Sequence, residues 1–148
     1  MKQKQLTDIM SSTHPQPLIH KNILKGLPFQ GLQLARTFGF PTINVWYECE
    51  ETYEVIPGVY AGLFRINSFT TYAACIYIHP NDPVDATKHK VECHALDITE
   101  LPIQLTDDIE VMVHKFIRKP ISFKDMCYDE IKLQLQRDID LSKDFFYD

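Results

Sequence analysis

Short runs rich in β-branched and aromatic residues, each closed by a turn signal, follow one another along most of this chain. That rhythm restricts the fold more than any other feature. Val59–Ile66 and Thr71–Ile78 are the plainest strand candidates. Pro57-Gly58 precedes the first and His79-Pro80-Asn81-Asp82-Pro83 follows the second. Lys90–Ile98 and Ile109–Ile117 come next. In the latter, Ile109, Val111 and Val113 alternate with Glu110, Met112 and His114, which fits a strand with one buried face. Upstream, Leu18–Leu27 ends near Gly26-Leu27-Pro28, and Asn44–Tyr47 gives a further short strand before the acidic stretch Glu48–Glu54.

The period then changes. Ile131, Leu135 and Ile139 recur every four residues, with Phe146 continuing the stripe, so one helix is predicted over Cys127–Phe145. Asp125 or Asp129 is the candidate N-cap. Its stripe reads as a packing face on the sheet. Short strands followed by one helix predict a mainly β domain, a small antiparallel barrel with a helix against it. Residues 1–17 are polar, with Pro15 and Pro17 near their end, and read as a flexible arm. Residues 18–148 then form one domain, long enough to bury a real core.

Net charge is −5, so no basic footprint for nucleic acid is present. No apolar run is long enough for a membrane span, and the N-terminus lacks the apolar region of a signal peptide. Four scattered cysteines, Cys49, Cys75, Cys93 and Cys127, show no zinc spacing and read as reduced thiols of a cytoplasmic protein.

The chemistry-bearing stretch is Gln30–Asn44, which holds two of the chain's five glycines, Gly31 and Gly39, before Pro41-Thr42-Ile43-Asn44. Glycine permits positive φ and close approach of backbone to a ligand. If Thr42 to Asn44 is a strand, both side chains share one face and offer a hydroxyl and an amide oxygen together. Hard oxygens of this kind suit a magnesium ion carrying nucleotide phosphates. A polar turn leading into a half-buried strand is the plainer alternative, because the glycine spacing matches neither the Walker nor the Rossmann pattern.

Together with three later motifs, this stretch resembles the riboflavin kinase family. The resemblance rests on Gly31 and Leu34-Ala35-Arg36-Thr37-Phe38-Gly39-Phe40-Pro41-Thr42-Ile43-Asn44. It continues through Gly58-Val59-Tyr60-Ala61, Glu92-Cys93-His94, Ile117-Arg118 with Phe123, and Gln134-Leu135-Gln136-Arg137-Asp138. It implies a six-stranded antiparallel Greek-key barrel with one C-terminal helix, and transfer of phosphate from ATP to riboflavin to give FMN. It further implies that Gly31, Arg36, Gly39, Thr42 and Ala95 meet ATP, and that Thr42 and Asn44 hold Mg2+. Arg118 and Phe123 would meet the flavin. Glu92 falls on the family's catalytic glutamate, placed to take the hydroxyl proton. His94, two residues on, shares its face and reads as an orienting group. Riboflavin, FMN, ATP and ADP are the partners implied, with no nucleic acid or membrane, and a monomer is expected. Because the chain carries no nucleotidyltransferase motif upstream, FAD synthesis is not expected.

Each residue also has a plainer reading. Arg36 fits a solvated surface charge, Phe123 a core anchor, and Glu92 an exposed strand residue paired with Lys88 or Lys90. The chain departs from the family pattern at Pro120, where relatives usually carry Glu. It departs again at Ala74-Cys75-Ile76-Tyr77-Ile78-His79-Pro80, where relatives carry a glycine, and at Leu105-Thr106-Asp107-Asp108, where a Tyr-Gly is common. Bulkier side chains there would narrow the flavin site. A kinase-derived module that binds a flavin or a protein partner without turnover is the alternative function.

Overall fold

The computed structural model describes residues 23–29, 39, 41–48, 56–80, 88–98 and 107–147. Among these, six strands precede one helix: β1 (Ile23–Phe29), β2 (Thr42–Glu48), β3 (Gly58–Ile66), β4 (Thr70–Ile78), β5 (Lys88–Ala95), β6 (Ile109–Arg118) and α1 (Tyr128–Phe146). The strands close into a barrel in the order β1-β2-β5-β4-β3-β6, and every neighbouring pair is antiparallel. The predicted antiparallel barrel with a C-terminal helix is therefore the fold.

Alternation sorts the side chains. Ile43, Val45, Tyr60, Phe64, Ile76, Val91, Cys93 and Val111 fill the barrel interior. Val59, Ala61, Leu63, Cys75 and Met112 point outward and meet Ile139, Phe145 and Phe146 of α1. Strand β3 lies between the two cores, which explains why Gly58–Phe64 is buried without a break. Its sequence is correspondingly apolar on both faces.

Three local expectations need correction. Strand β1 does not stop at Gly26-Leu27-Pro28 but runs through to Phe29. Residues 23–26 pair with β6 and residues 27–29 pair with β2, so the turn-like residues mark a handover between neighbours. Gly26 is needed there because a Cβ would lie 2.2 Å from the Trp46 carbonyl oxygen. The helix N-cap is Cys127, not Asp125 or Asp129; it makes no side-chain bond to the backbone, and its thiol lies 3.1 Å from Glu130 Oε1. Strand β5 ends at Ala95, earlier than the predicted Ile98. The arm expected over residues 1–17, the loop residues Gly31 and Arg36, and Cys49 with the acidic residues after it lie outside the described residues.

Cys75 and Cys93 are buried free thiols, and Cys127 is an exposed one. Residues Cys75 and Cys93 belong to opposite faces of the sheet, one against α1 and one inside the barrel. Burial pushes the Cys75 thiol up to about 12, so neither reactivity nor metal binding is favoured there.

A second point as tight as Gly26 is Gly62, beside a register shift in the β3–β6 pairing. A Cβ at this position would lie 2.2 Å from the Met112 carbonyl oxygen and 2.6 Å from Ile76 Cδ1. Gly62→Ala should therefore lower unfolding free energy by about 1–3 kcal/mol through overpacking, read from urea denaturation midpoints. An unchanged midpoint would show that β6 yields more easily than this geometry implies.

Candidate active site

Strands β2 and β5 carry the predicted motif residues side by side. Asn44 pairs in register with Glu92, and Thr42 with His94. Cross-strand partners share a face, and the interior is taken by Ile43, Val45, Val91 and Cys93. Thr42, Asn44, Glu92 and His94 thus form a block of four polar residues on the outside of the barrel. All four are nonetheless buried.

Glu92 is heavily engaged. Its Oε1 accepts from Lys90 Nζ at 2.9 Å and lies 3.0 Å from His79 Nε2. His94 Nε2 stands 3.5 Å from Oε2, which is too long for a good hydrogen bond. Burial alone would raise the carboxyl pKa, but His79, with His94 and Lys90, outweighs it and holds the group well below the usual carboxylate range. A carboxylate oxygen has room for about two donors. Oε1 is therefore saturated, whereas Oε2 keeps acceptor capacity.

Asn44, opposite Glu92, is only 1% exposed, and its Oδ1 and Nδ2 have no hydrogen-bond partner among the described residues. A buried amide left unpaired is costly, and a water, an ion or a ligand can complete it. Among the described residues no group of three His, Cys, Asp or Glu is arranged to hold a metal. An oxygen site built from Thr42 and Asn44 differs from such a cluster and suits a hard cation that keeps most of its ligands from phosphate and water.

Beside Glu92 opens a cavity of about 450 Å³. Its polar end is His79, Lys90, Glu92 and His94. Its apolar walls are Val59, Ile78, Pro80, Pro120, Ile121, Phe123 and Leu135, with Tyr77 along one side. Walls of this kind with a few convergent polar groups fit a flat, largely apolar ligand.

Arg118 sits behind that wall. Its Nε and Nη2 grip the two carboxylate oxygens of Asp138 at 2.8 and 2.7 Å, and its guanidinium lies 5.2 Å from the centre of the Tyr77 ring. The Tyr77 hydroxyl also bonds Asp138, and Gln134 Nε2 donates to Asp138 Oδ1 at 3.0 Å. Tyr77 in turn stacks on His94, with ring centroids 5.3 Å apart. The 74–80 segment that departs from the family thus contributes four residues to the cavity lining, Tyr77, Ile78, His79 and Pro80.

Of the residues singled out in the sequence, Thr42, Asn44, Glu92 and His94 come together, and Phe123 lines the neighbouring cavity. Ala95 ends β5, with its N–H bonded to the Pro41 carbonyl. Gly39 has φ +91, a conformation that suits glycine, and is exposed. The roles of His79, Tyr77 and Asp138 were missed. Asp138 had a readable signal, since it stands on the buried stripe of the helix beside Ile139 and so requires a partner.

A family model described as "Flavokinase: Riboflavin kinase" matches residues 18–146. The chain belongs to the riboflavin kinase family. It is 28% identical over 121 residues to the "Bifunctional riboflavin kinase/FMN adenylyltransferase" of Haemophilus influenzae, a match that covers 82% of this chain. The chain spans 37% of that relative's length. Its fold is similar to a solved structure titled "Crystal Structure of Macrolide-efflux Protein from Streptococcus pneumoniae". That likeness has a TM-score of 0.65 at 21% identity and covers 82% of this chain and 38% of the other. Among the described residues no helix is long and apolar enough to cross a membrane.

The state of Glu92 gives a measurable consequence for this riboflavin kinase family member. Its folded carboxyl titrates below the ordinary value of 4.5. The stability it contributes is complete above that pH and is lost as the pH falls below it. Urea midpoints taken from about pH 6 down to about pH 3 should therefore fall less steeply for Glu92→Gln than for the parent. Parallel acid limbs would mean that the donors around Glu92 do not hold it ionised.

Proposed function

We propose that this chain is a riboflavin kinase, moving the γ-phosphate of ATP to the 5′-hydroxyl of riboflavin to give FMN and ADP. The observation that carries the reading is Glu92, which lines the polar end of an apolar-walled cavity and pairs across the strands with a buried Asn44 whose amide has no partner among the described residues. Family membership supports the same reaction class.

In this scheme the flavin ring lies between Phe123, Ile121 and the β3–β4 wall, with its ribityl chain directed at Glu92. The hydroxyl donates to Oε2, the carboxylate oxygen with spare capacity. As the bond from the 5′-hydroxyl oxygen of riboflavin to the γ-phosphorus forms, the bond from phosphorus to the ADP oxygen breaks, and the hydroxyl proton passes to Glu92. A carboxylate held so far below its usual range is a weak base. Phosphoryl transfer tolerates this, because its transition state is loose and the proton leaves late. Orientation of the hydroxyl is then the larger part of the task of Glu92.

Thr42 and Asn44 would hold a divalent cation, preferably Mg2+, which when bound neutralises charge on the nucleotide phosphates. The unpaired Asn44 Oδ1 fits that assignment. Gly31, Arg36 and Gly39 would line the nucleotide loop, with the backbone at Ala95 beside it. Arg118 acts on the flavin through Tyr77 and the wall it braces. ATP supply and reduced thiols point to the cytoplasm.

The second reading, a flavin-binding module without turnover, draws on the same cluster: both lone pairs of Glu92 Oε1 are already taken. Incubation with riboflavin, ATP and Mg2+, followed by chromatography of the flavins, separates the two. FMN should accumulate, and Glu92→Gln should lower kcat by about 10²–10⁴-fold. Flavin binding with no FMN formed by the folded parent protein would leave the second reading standing.

A further inference from the structure

Lys90 takes no part in the phosphoryl transfer itself, yet among the described residues it is the full cation nearest the reacting carboxylate. Its Nζ lies 2.9 Å from Glu92 Oε1, and it lines the same cavity as Glu92. The ammonium carries three donors, and that contact uses one. His79 approaches the same oxygen from the end of β4, its Nε2 at 3.0 Å.

Phosphorylation changes the electrostatics of this corner. The product carries a phosphate on the oxygen that had faced Glu92 Oε2, so two anions come within a few ångströms of each other. Such a pair in a partly buried site is strongly repulsive unless a cation stands between them. We propose that Lys90, seconded by His79, forms a phosphate subsite at the polar end of the cavity, so that the chain binds a phosphorylated flavin more tightly than the unphosphorylated one. The inference rests on the flavin reading of the cavity but not on turnover.

Lys90 suits this part better than an Arg118 type of contact. The Arg118 guanidinium already donates to Asp138, Tyr77 and the Lys119 carbonyl, whereas Lys90 is partly exposed and carries its ammonium on a flexible stem. Charge-assisted hydrogen bonds to phosphate are about twice as strong as neutral ones, enough for about a ten-fold preference.

The test measures FMN and riboflavin affinities by flavin fluorescence, without nucleotide or metal, for the parent, Lys90→Met and Lys90→Arg. Methionine keeps the length and apolar stem of the lysine, and thermal melting checks that each variant is folded. FMN should bind the parent about ten-fold more tightly than riboflavin does, with a preference that shrinks as salt is raised. Lys90→Met should bring the ratio of FMN to riboflavin affinity, both measured on that variant, to about one, and Lys90→Arg should largely keep the parent's ratio. Riboflavin binding with no FMN preference, or a preference that survives Lys90→Met, overturns the subsite alone. Failure of the folded parent to bind either flavin overturns the subsite and the flavin reading together.

Discussion

Alternation along β5 in a closed sheet is the constraint on which the candidate site depends. Val91 and Cys93 must enter the barrel because the interior has no room for charge, and this forces Lys90, Glu92 and His94 outward. A slip of one residue would send a carboxylate into the apolar core and two apolar side chains to the ligand. The closed β1-β2-β5-β4-β3-β6 circuit opposes that slip, because β5 is held on both sides. Chemistry and stability therefore share one register.

A second fixed point is Asp138, a carboxylate with 1% of its surface exposed in the middle of the helix face. Breaking such a pair from one side leaves an uncompensated buried charge and costs about 3–5 kcal/mol. Its partners come from three places: Arg118 at the end of β6, Tyr77 on β4 and Gln134 one helical turn away. The knot locks α1 to the barrel at a defined rotation. It also fixes the plane of Tyr77, and through stacking the plane of His94. Desolvation by burial, together with the Asp138 charge, drives the Tyr77 pKa upward, so the hydroxyl remains a donor.

Much of this was legible in the sequence because it follows from period and pattern. The apolar alternation in β6 and the four-residue stripe in α1 identified their elements, whereas only the family resemblance linked Asn44 to Glu92 before the structure showed them on adjacent strands. Less legible were features that need coordinates. Gly26-Leu27-Pro28 has turn chemistry, yet it sits inside a strand, because a glycine serves equally where two backbones crowd together. The donors to Glu92 come from its own strand and from β4, and only the β4–β5 pairing makes His79 its neighbour. Likewise, Arg118 carries a motif match to a ligand contact, while the geometry spends its guanidinium on Asp138.

The cavity draws its walls from Gly58 and Val59 on β3, from the Pro120–Phe123 segment, and from Leu135 on α1. No two consecutive elements suffice to enclose it, so its enclosure needs contacts far apart in the sequence. Such contacts carry a higher loop-closure cost than local ones, so the cavity is complete only once α1 has docked on the barrel.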